Sequence, residues 1–214
     1  MVLLALDAAP GSASAAIVTG GKVLACEADM SGVGRLALLA EMAVRTAGLT
    51  AADLTAVAAS VGPGSFTGIR MALALAIGIG LAAGAPAIGV SVGEALAALL
   101  GDPRPRALWV AIDSRRGHVF LERAGTVAAF EAAAFPLPRG PILLAGDAAG
   151  RVVGRLRGAG ADVQLAAGQA GGAVAVGLAG EARLAGRLPA RAALPLYVDL
   201  PAARLAEGVR PEPQ

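Results

Sequence analysis

At 214 residues the chain can bury one or two cores, and its 18 basic against 16 acidic side chains leave a formal net charge of only +2. That balance, with 3% aromatic residues, argues against a basic nucleic-acid stripe. One cysteine, Cys26, and one histidine, His118, exclude an internal disulfide, a Cys/His zinc site and a two-histidine metalloprotease centre.

Met1–Asp7 reaches an acid without a basic region, so no secretory signal is expected and the default location is cytoplasmic. Val2–Leu6 reads as a strand, Pro10-Gly11 as a turn and Ala13–Val18 as the returning strand. Gly20-Gly21 then turns the chain into a third strand over Lys22–Ala28. Arg35–Ala47 has helical periodicity, with Leu36, Leu39, Ala40, Ala43 and Val44 on one face. A helical turn at Thr50–Asp53 precedes a buried strand, Thr55–Ser60, which runs into Gly62-Pro63-Gly64. A long apolar helix to about residue 84, a strand over 87–90 and a helix over 92–100 complete the first half. No charge occurs between Met71 and Gly93, a length that would suit a membrane span. Pro86, five glycines and the capping-box spacing Ser91…Glu94 favour a soluble helix–strand–helix instead.

Gly101-Asp-Pro-Arg-Pro105 reads as a linker, dividing an N-terminal lobe (1–102) from a smaller C-terminal lobe with a tail (103–214). Strands are expected over Ala107–Asp113, His118–Arg123 and 141–145, and helices near 149–158 and 172–186. Leu3–Asp7 and Trp109–Asp113 are both apolar strands ending in Asp before a turn and a returning strand. This weak repeat resembles the duplicated actin-like and ribonuclease H-like architecture: α/β, two lobes, each a mixed sheet flanked by helices.

The most specific segment is Gly62-Pro-Gly-Ser-Phe-Thr-Gly-Ile-Arg70. Lys22 is the sole lysine, so no Walker A loop exists, and Gly64 and Gly68 are spaced one residue too far for a Rossmann fingerprint. Pro63 occupies the first glycine position of a hydrolase nucleophile elbow. A turn followed by a helix capped by Ser65 or Thr67 is therefore preferred to a phosphate cradle. Asp7, Asp113 and Gly146, the last in Gly146-Asp-Ala-Ala-Gly150, are weak candidates for a nucleotide site. For both acids, a turn cap through the acid's own backbone is preferred to metal-phosphate binding. Arg151, Arg155 and Arg157 read as a solvated helix face.

Small residues recur every four positions along the long helix: Gly68, Ala72, Ala76, Gly80 and Gly84. Such a ridge permits close helix approach. Burial on the chain's own sheet and packing against a partner are equally compatible with it.

The chain resembles the TsaB (also called YeaZ) family. The resemblance rests on Leu4–Asp7 with its hairpin, on Gly62–Arg70, and on Ile88-Gly-Val-Ser91. Ala111-Ile-Asp-Ser-Arg-Arg-Gly117 and Pro195-Leu-Tyr197 complete it. It implies no catalysis by this chain, which would act as an activating subunit in forming N6-threonylcarbamoyladenosine beside the anticodon of tRNAs reading codons that begin with A. It also implies a heterodimer with a TsaD-like subunit, a TsaE-like ATPase in the complex, and contact with tRNA through the complex. No cofactor of its own follows; ATP and metal are expected on the partner subunits, and no membrane is involved. The seam would use helices 35–47 and 67–83 through Leu36, Leu39, Ala40, Ala43, Gly68, Ala72, Ala76 and Gly80, and could support a homodimer when the partner is missing. The chain departs from the family at Ala8, where Thr is usual, at Gly34-Arg35-Leu36-Ala37, and at Val198-Asp199, where an Arg is common. A sugar- or acetate-kinase-like phosphotransferase is the alternative of the same architecture.

Overall fold

The computed structural model describes residues 1–167 and 171–198. The first sheet contains β1 (Leu3–Asp7), β2 (Ala13–Thr19), β3 (Lys22–Asp29), β4 (Ala56–Gly62) and β5 (Ala87–Ser91). The second contains β6 (Ala107–Asp113), β7 (His118–Arg123), β8 (Thr126–Glu131), β9 (Ile142–Ala145) and β10 (Val163–Leu165). The helices are α1 (Leu36–Thr46), α2 (Phe66–Ala83), α3 (Val92–Leu100), α4 (Ala149–Gly158) and α5 (Gly172–Leu184).

The two sheets have the same topology. Strand order is β3-β2-β1-β4-β5 in the first and β8-β7-β6-β9-β10 in the second. In each, the first strand pairs antiparallel with the second and parallel with the fourth. The repeat seen in Leu3–Asp7 and Trp109–Asp113 is thus a repeat of whole sheets, and the expected duplicated actin-like fold is the fold observed. Strands β8 and β10 had no sequence signal of their own: Thr126–Glu131 is short and alanine-diluted, and Val163–Leu165 has only three residues.

Alternation along β1 divides the first lobe's core. Leu4 and Leu6 face the cluster under α1 and α2, whereas Leu3 and Ala5 face the cluster containing α5. Burial on both faces explains why β1 and β4 are apolar without a polar alternation. The Ser91…Glu94 capping box forms as expected, and Ser65 caps α2 by accepting from the Gly68 amide.

The boundary expected near residue 102 marks the change of sheet, but α5 does not remain in the second lobe. It returns to pack on β1 and β2 of the first sheet and along α3. Leu96 of α3 in turn packs with Val110, Ile112 and Phe120 of the second sheet. The two helices therefore form a shared layer between the sheets. Glycine permits this closeness: a Cβ at Gly177 would lie 2.5 Å from Val18 Cγ2, and one at Gly180 would lie 3.0 Å from Ala58 Cβ. Helical periodicity shows that 172–184 has an apolar face but not which sheet receives it.

Buried carboxylates fasten the layer. Glu122 of β7 accepts from the Ser91 hydroxyl and from the Gly93 amide at 2.7 Å, joining the second sheet to the start of α3. Glu181 of α5 accepts from the amides of Gly20 and Gly21 at 2.6 and 2.7 Å, holding the β2–β3 turn. Arg183 of α5 pairs with Glu94 of α3 at 2.6 Å and donates to the Gly89 carbonyl.

Two outcomes follow. Gly177→Leu forces a side chain into the α5–β2 contact and should destabilise the fold by about 1–3 kcal/mol, read by urea or thermal denaturation. Burial pushes the Glu122 carboxyl above the usual glutamate range, against the opposing pull of Ser91 and Gly93. A raised acid pKa means the native state holds the proton longer than the unfolded state, so this group's contribution falls as pH rises from the ordinary glutamate range through the raised value. Across that window the parent should lose stability relative to Glu122→Gln. Denaturation at several pH values gives the sign, and a gap moving in the parent's favour would contradict it.

Candidate functional site between the lobes

Two neighbouring spaces lie between the lobes, one small and one wide. The small one is bordered by Asp7, Ser60, Gly146, Asp147 and Gly172 and holds a volume of only about 30 Å³, room on the scale of a water molecule. Of the nucleotide-site candidates, Asp7 and Gly146 border this space, and Asp113 lies one residue beyond the lining Ile112.

Both candidate acids make the turn contacts expected of a cap. Asp7 Oδ1 accepts from the Ala9 amide at 3.0 Å, and Asp113 Oδ1 accepts from the Arg115 amide at 2.9 Å, two residues on in each case. Asp7 is only 5% exposed, and burial pushes its carboxyl above the usual range, opposed by Ser60 and the amides of Ala9 and Ala8. The Ser60 hydroxyl, although beside this acid, makes no well-aligned hydrogen bond. Asp113 meets Arg151 at 3.0 Å and Arg115 at 3.7 Å. Arg115 also pairs with Asp147 at 3.0 Å and donates to the Pro10 carbonyl, reaching across to the first lobe. Burial likewise raises the Asp147 carboxyl, whose Oδ1 accepts from the Asp113 amide at 2.8 Å.

Asp7 is therefore engaged by its own turn, and Asp113 and Asp147 by backbone amides and arginines. Among the described residues no group of three His, Cys, Asp or Glu side chains could hold a metal ion. Gly146 has φ +98°, and a Cβ there would lie 2.1 Å from the Ala111 carbonyl oxygen, so its place in the fold is a close approach of the β9–α4 turn to β6. Ala8, the position where the family has Thr, is buried beneath α2; a Cβ on Gly68 would lie 2.0 Å from its carbonyl oxygen.

The expected partner stripe needs correction. Leu36, Leu39, Ala40 and Ala43 of α1 and Gly68, Ala72, Ala76 and Gly80 of α2 are all buried within the first lobe. The small-residue ridge lets α2 approach β1, β4 and β5, which is the own-sheet arrangement the spacing also allowed. Periodicity identified the correct face but not what covers it. Leu38 and Met42 of α1 and Ile77 and Leu81 of α2 are the exposed large apolar residues of these helices, with Phe66 at the start of α2. By length and composition α2 could also cross a membrane, yet one face of it covers the sheet. The three arginines of α4 make internal contacts: besides the Arg151 pair, Arg155 donates to the Phe135 carbonyl and Arg157 to that of Val163.

The wider space is a cleft of about 570 Å³. Its walls are the Pro63–Arg70 segment, the β6–β7 loop from Ser114 to His118, and Pro195–Val198. Three of the motifs that carried the family resemblance, far apart in sequence, thus meet at one surface. The Arg70 guanidinium lies 3.8 Å from the Phe66 ring centroid and donates to the Tyr197 hydroxyl at 2.8 Å. The Leu196 amide donates to the Val61 carbonyl at 2.8 Å, pinning this end segment to β4. Sequence reasoning quoted these motifs but did not identify their meeting, because 127 positions separate Arg70 from Tyr197. The available signal was their chemistry: Phe and Tyr in a chain with few aromatics. Asp199, the other departure in this segment, lies outside the described residues.

Comparison with known proteins agrees with this geometry. The family model described as TsaD, tRNA N6-adenosine threonylcarbamoyltransferase, matches residues 28–134, half of the chain. Two curated relatives, the tRNA N6-adenosine threonylcarbamoyltransferases of Bordetella parapertussis and Bordetella bronchiseptica, are 33% identical over 101 residues. That stretch covers 46% of this chain and only 29% of each relative. YeaZ from Pseudomonas aeruginosa superposes with a TM-score of 0.71 at 26% identity, covering 92% of this chain and 99% of that one. Another P. aeruginosa structure, described as similar to peptidase YeaZ, gives 0.73 at the same identity and coverage. The activator of 2-hydroxyisocaproyl-CoA dehydratase from Clostridium difficile, with bound ADPNP, shares the fold at a TM-score of 0.51 and 11% identity, covering 87% of this chain and 97% of that one. The chain belongs to the TsaD-type tRNA threonylcarbamoyltransferase family, within its TsaB (YeaZ) group.

Proposed function

We propose that this chain is a non-catalytic, activating subunit in the formation of N6-threonylcarbamoyladenosine on tRNA, working as a heterodimer with a TsaD-like protein. The observation that carries the non-catalytic reading is the engagement of Asp113 by Arg115 and Arg151. An acid held by two guanidiniums is poorly placed to orient a metal-bound nucleotide, and the space bordered by Asp7 and Asp147 holds only about 30 Å³. ATP and metal chemistry then belong to the partner subunits, and a TsaE-like ATPase completes the assembly in the cytoplasm.

The partner seam is assigned to the outer faces of α1 and α2. Leu38, Met42, Ile77 and Leu81 are large, apolar and exposed, Leu81 by 79%. A second copy of this chain could cover the same faces when the partner is absent. The phosphotransferase reading has the shared fold in its favour, but fold alone does not carry activity.

Leu81→Arg combined with Met42→Glu changes only exposed side chains. It should abolish copurification with the TsaD-like subunit and leave the melting transition within a few degrees of the parent. Loss of this chain should deplete the modified nucleoside in digested tRNA, measured by mass spectrometry, and the double variant should fail to restore it. Retained copurification would move the seam elsewhere. Titration of the isolated chain with ATP and magnesium should give no binding heat; tight binding with turnover would instead support the phosphotransferase.

A further inference from the structure

We propose that the open cleft between the lobes holds one unpaired nucleotide of an RNA strand. The base would lie against the Phe66–Arg70–Tyr197 lip and the phosphate against Arg116 and His118.

Residue concentration is the first argument. The whole chain has six aromatic residues, and Phe66, Phe120 and Tyr197 all border this cleft. The other three, Trp109, Phe130 and Phe135, pack edge-to-face in the second lobe. The only histidine and the arginines at 70, 115 and 116 also line the cleft, and among the described residues no carboxylate does. Composition disfavoured a nucleic-acid site because basic and aromatic residues are not interleaved in sequence; folding brings them together.

Geometry supplies the ligand class. Phe66 is 48% and Tyr197 54% exposed, although both are large ring systems that would ordinarily be covered. Arg70 lies over the Phe66 ring and donates to the Tyr197 hydroxyl, which groups two rings and a guanidinium along one lip of the cleft. Guanidinium planes and aromatic faces are the surfaces on which unpaired RNA bases stack. Arg116 makes no side-chain hydrogen bond or ion pair among the described residues, so its five donors remain available to phosphate. Arg115, by contrast, is committed to Asp147 and Pro10 and serves to position the loop.

An RNA strand suits the opening better than a free nucleotide does. Small-molecule sites enclose most of their ligand, whereas the Phe66, Arg70, Arg116 and Tyr197 side chains stand at the surface. The inference deepens the proposed function and rests on it for the identity of the RNA, the tRNA being modified.

The test is fluorescence anisotropy of the full-length chain with a labelled anticodon stem-loop across a salt series. Arg70→Ala with Arg116→Ala should weaken binding by about tenfold or more and flatten the salt dependence by roughly 0.7 per lost phosphate contact. Tyr197→Ala should weaken it by about fivefold or more with an unchanged salt slope. Arg116→Lys should restore the salt slope, which a merely structural arginine would not require. Circular dichroism and melting confirm that each variant is folded. Affinities of all variants within twofold of the parent, or no binding by the parent, would overturn the proposal. Adenosine monophosphate displacing the RNA at submillimolar concentration would identify a free-nucleotide site and overturn the assignment to RNA. These outcomes are separable from failure of the subunit reading: RNA binding in the cleft can persist in cells whose modified nucleoside does not depend on the chain, and the dependence can persist when cleft variants bind normally.

Discussion

The layer formed by α3 and α5 between two sheets of identical topology is the constraint on which the rest of the molecule depends. Each of these helices follows one sheet in the chain and packs on the other, so neither lobe can complete its core alone. Close packing at Gly177 and Gly180 brings α5 onto the first sheet, and Glu122, Glu181 and Arg183 fasten the ends through charge-assisted hydrogen bonds. Buried carboxylates are costly unless paired, so these contacts define one arrangement of the lobes and disfavour others.

That arrangement fixes the character of both inter-lobe spaces. Bringing the two sheet ends together places Asp7 and Asp147 at one space, with the Asp113 amide bonded to Asp147. Asp7 accepts from its own turn, and Asp113 and Asp147 are held by Arg115 and Arg151. The smaller space has room for little more than a water molecule, and Arg115 ties the β6–β7 loop to Pro10 of the first lobe. Beside it, the same loop and the start of α2 border the wide cleft, where guanidinium and aromatic groups remain at the surface.

Helix α2 connects these features. Its small residues permit contact with β1, β4 and β5, its first turn borders the cleft, and its outer face presents Ile77 and Leu81. The helix is apolar on both sides: one face packs on the sheet, and the other leaves Ile77 and Leu81 exposed. A sequence with one such helix reads equally as a core helix or an interface helix, since periodicity is blurred when both faces are apolar.

Alternation, glycine turns and capping boxes are local, and they made most elements of the fold legible: β1 to β3, α1, the Gly62–Gly64 turn, the Ser91…Glu94 cap and the repeat of an Asp-terminated strand. Local hydrogen bonding also made the turn-cap role of Asp7 and Asp113 readable, because each acid bonds to its own backbone two residues on. Strands β8 and β10 escaped because short or diluted segments become strands only when a neighbour supplies their hydrogen-bonding partners. The burial of Leu36, Ala72 and their neighbours, the return of α5 to the first sheet, and the meeting of Arg70 with Tyr197 were decided by tertiary structure alone. A sequence specifies which side chains need covering and which turns its backbone can make, but what covers them depends on contacts between separate segments, more than a hundred residues apart for α5 with β1 and β2 and for Arg70 with Tyr197.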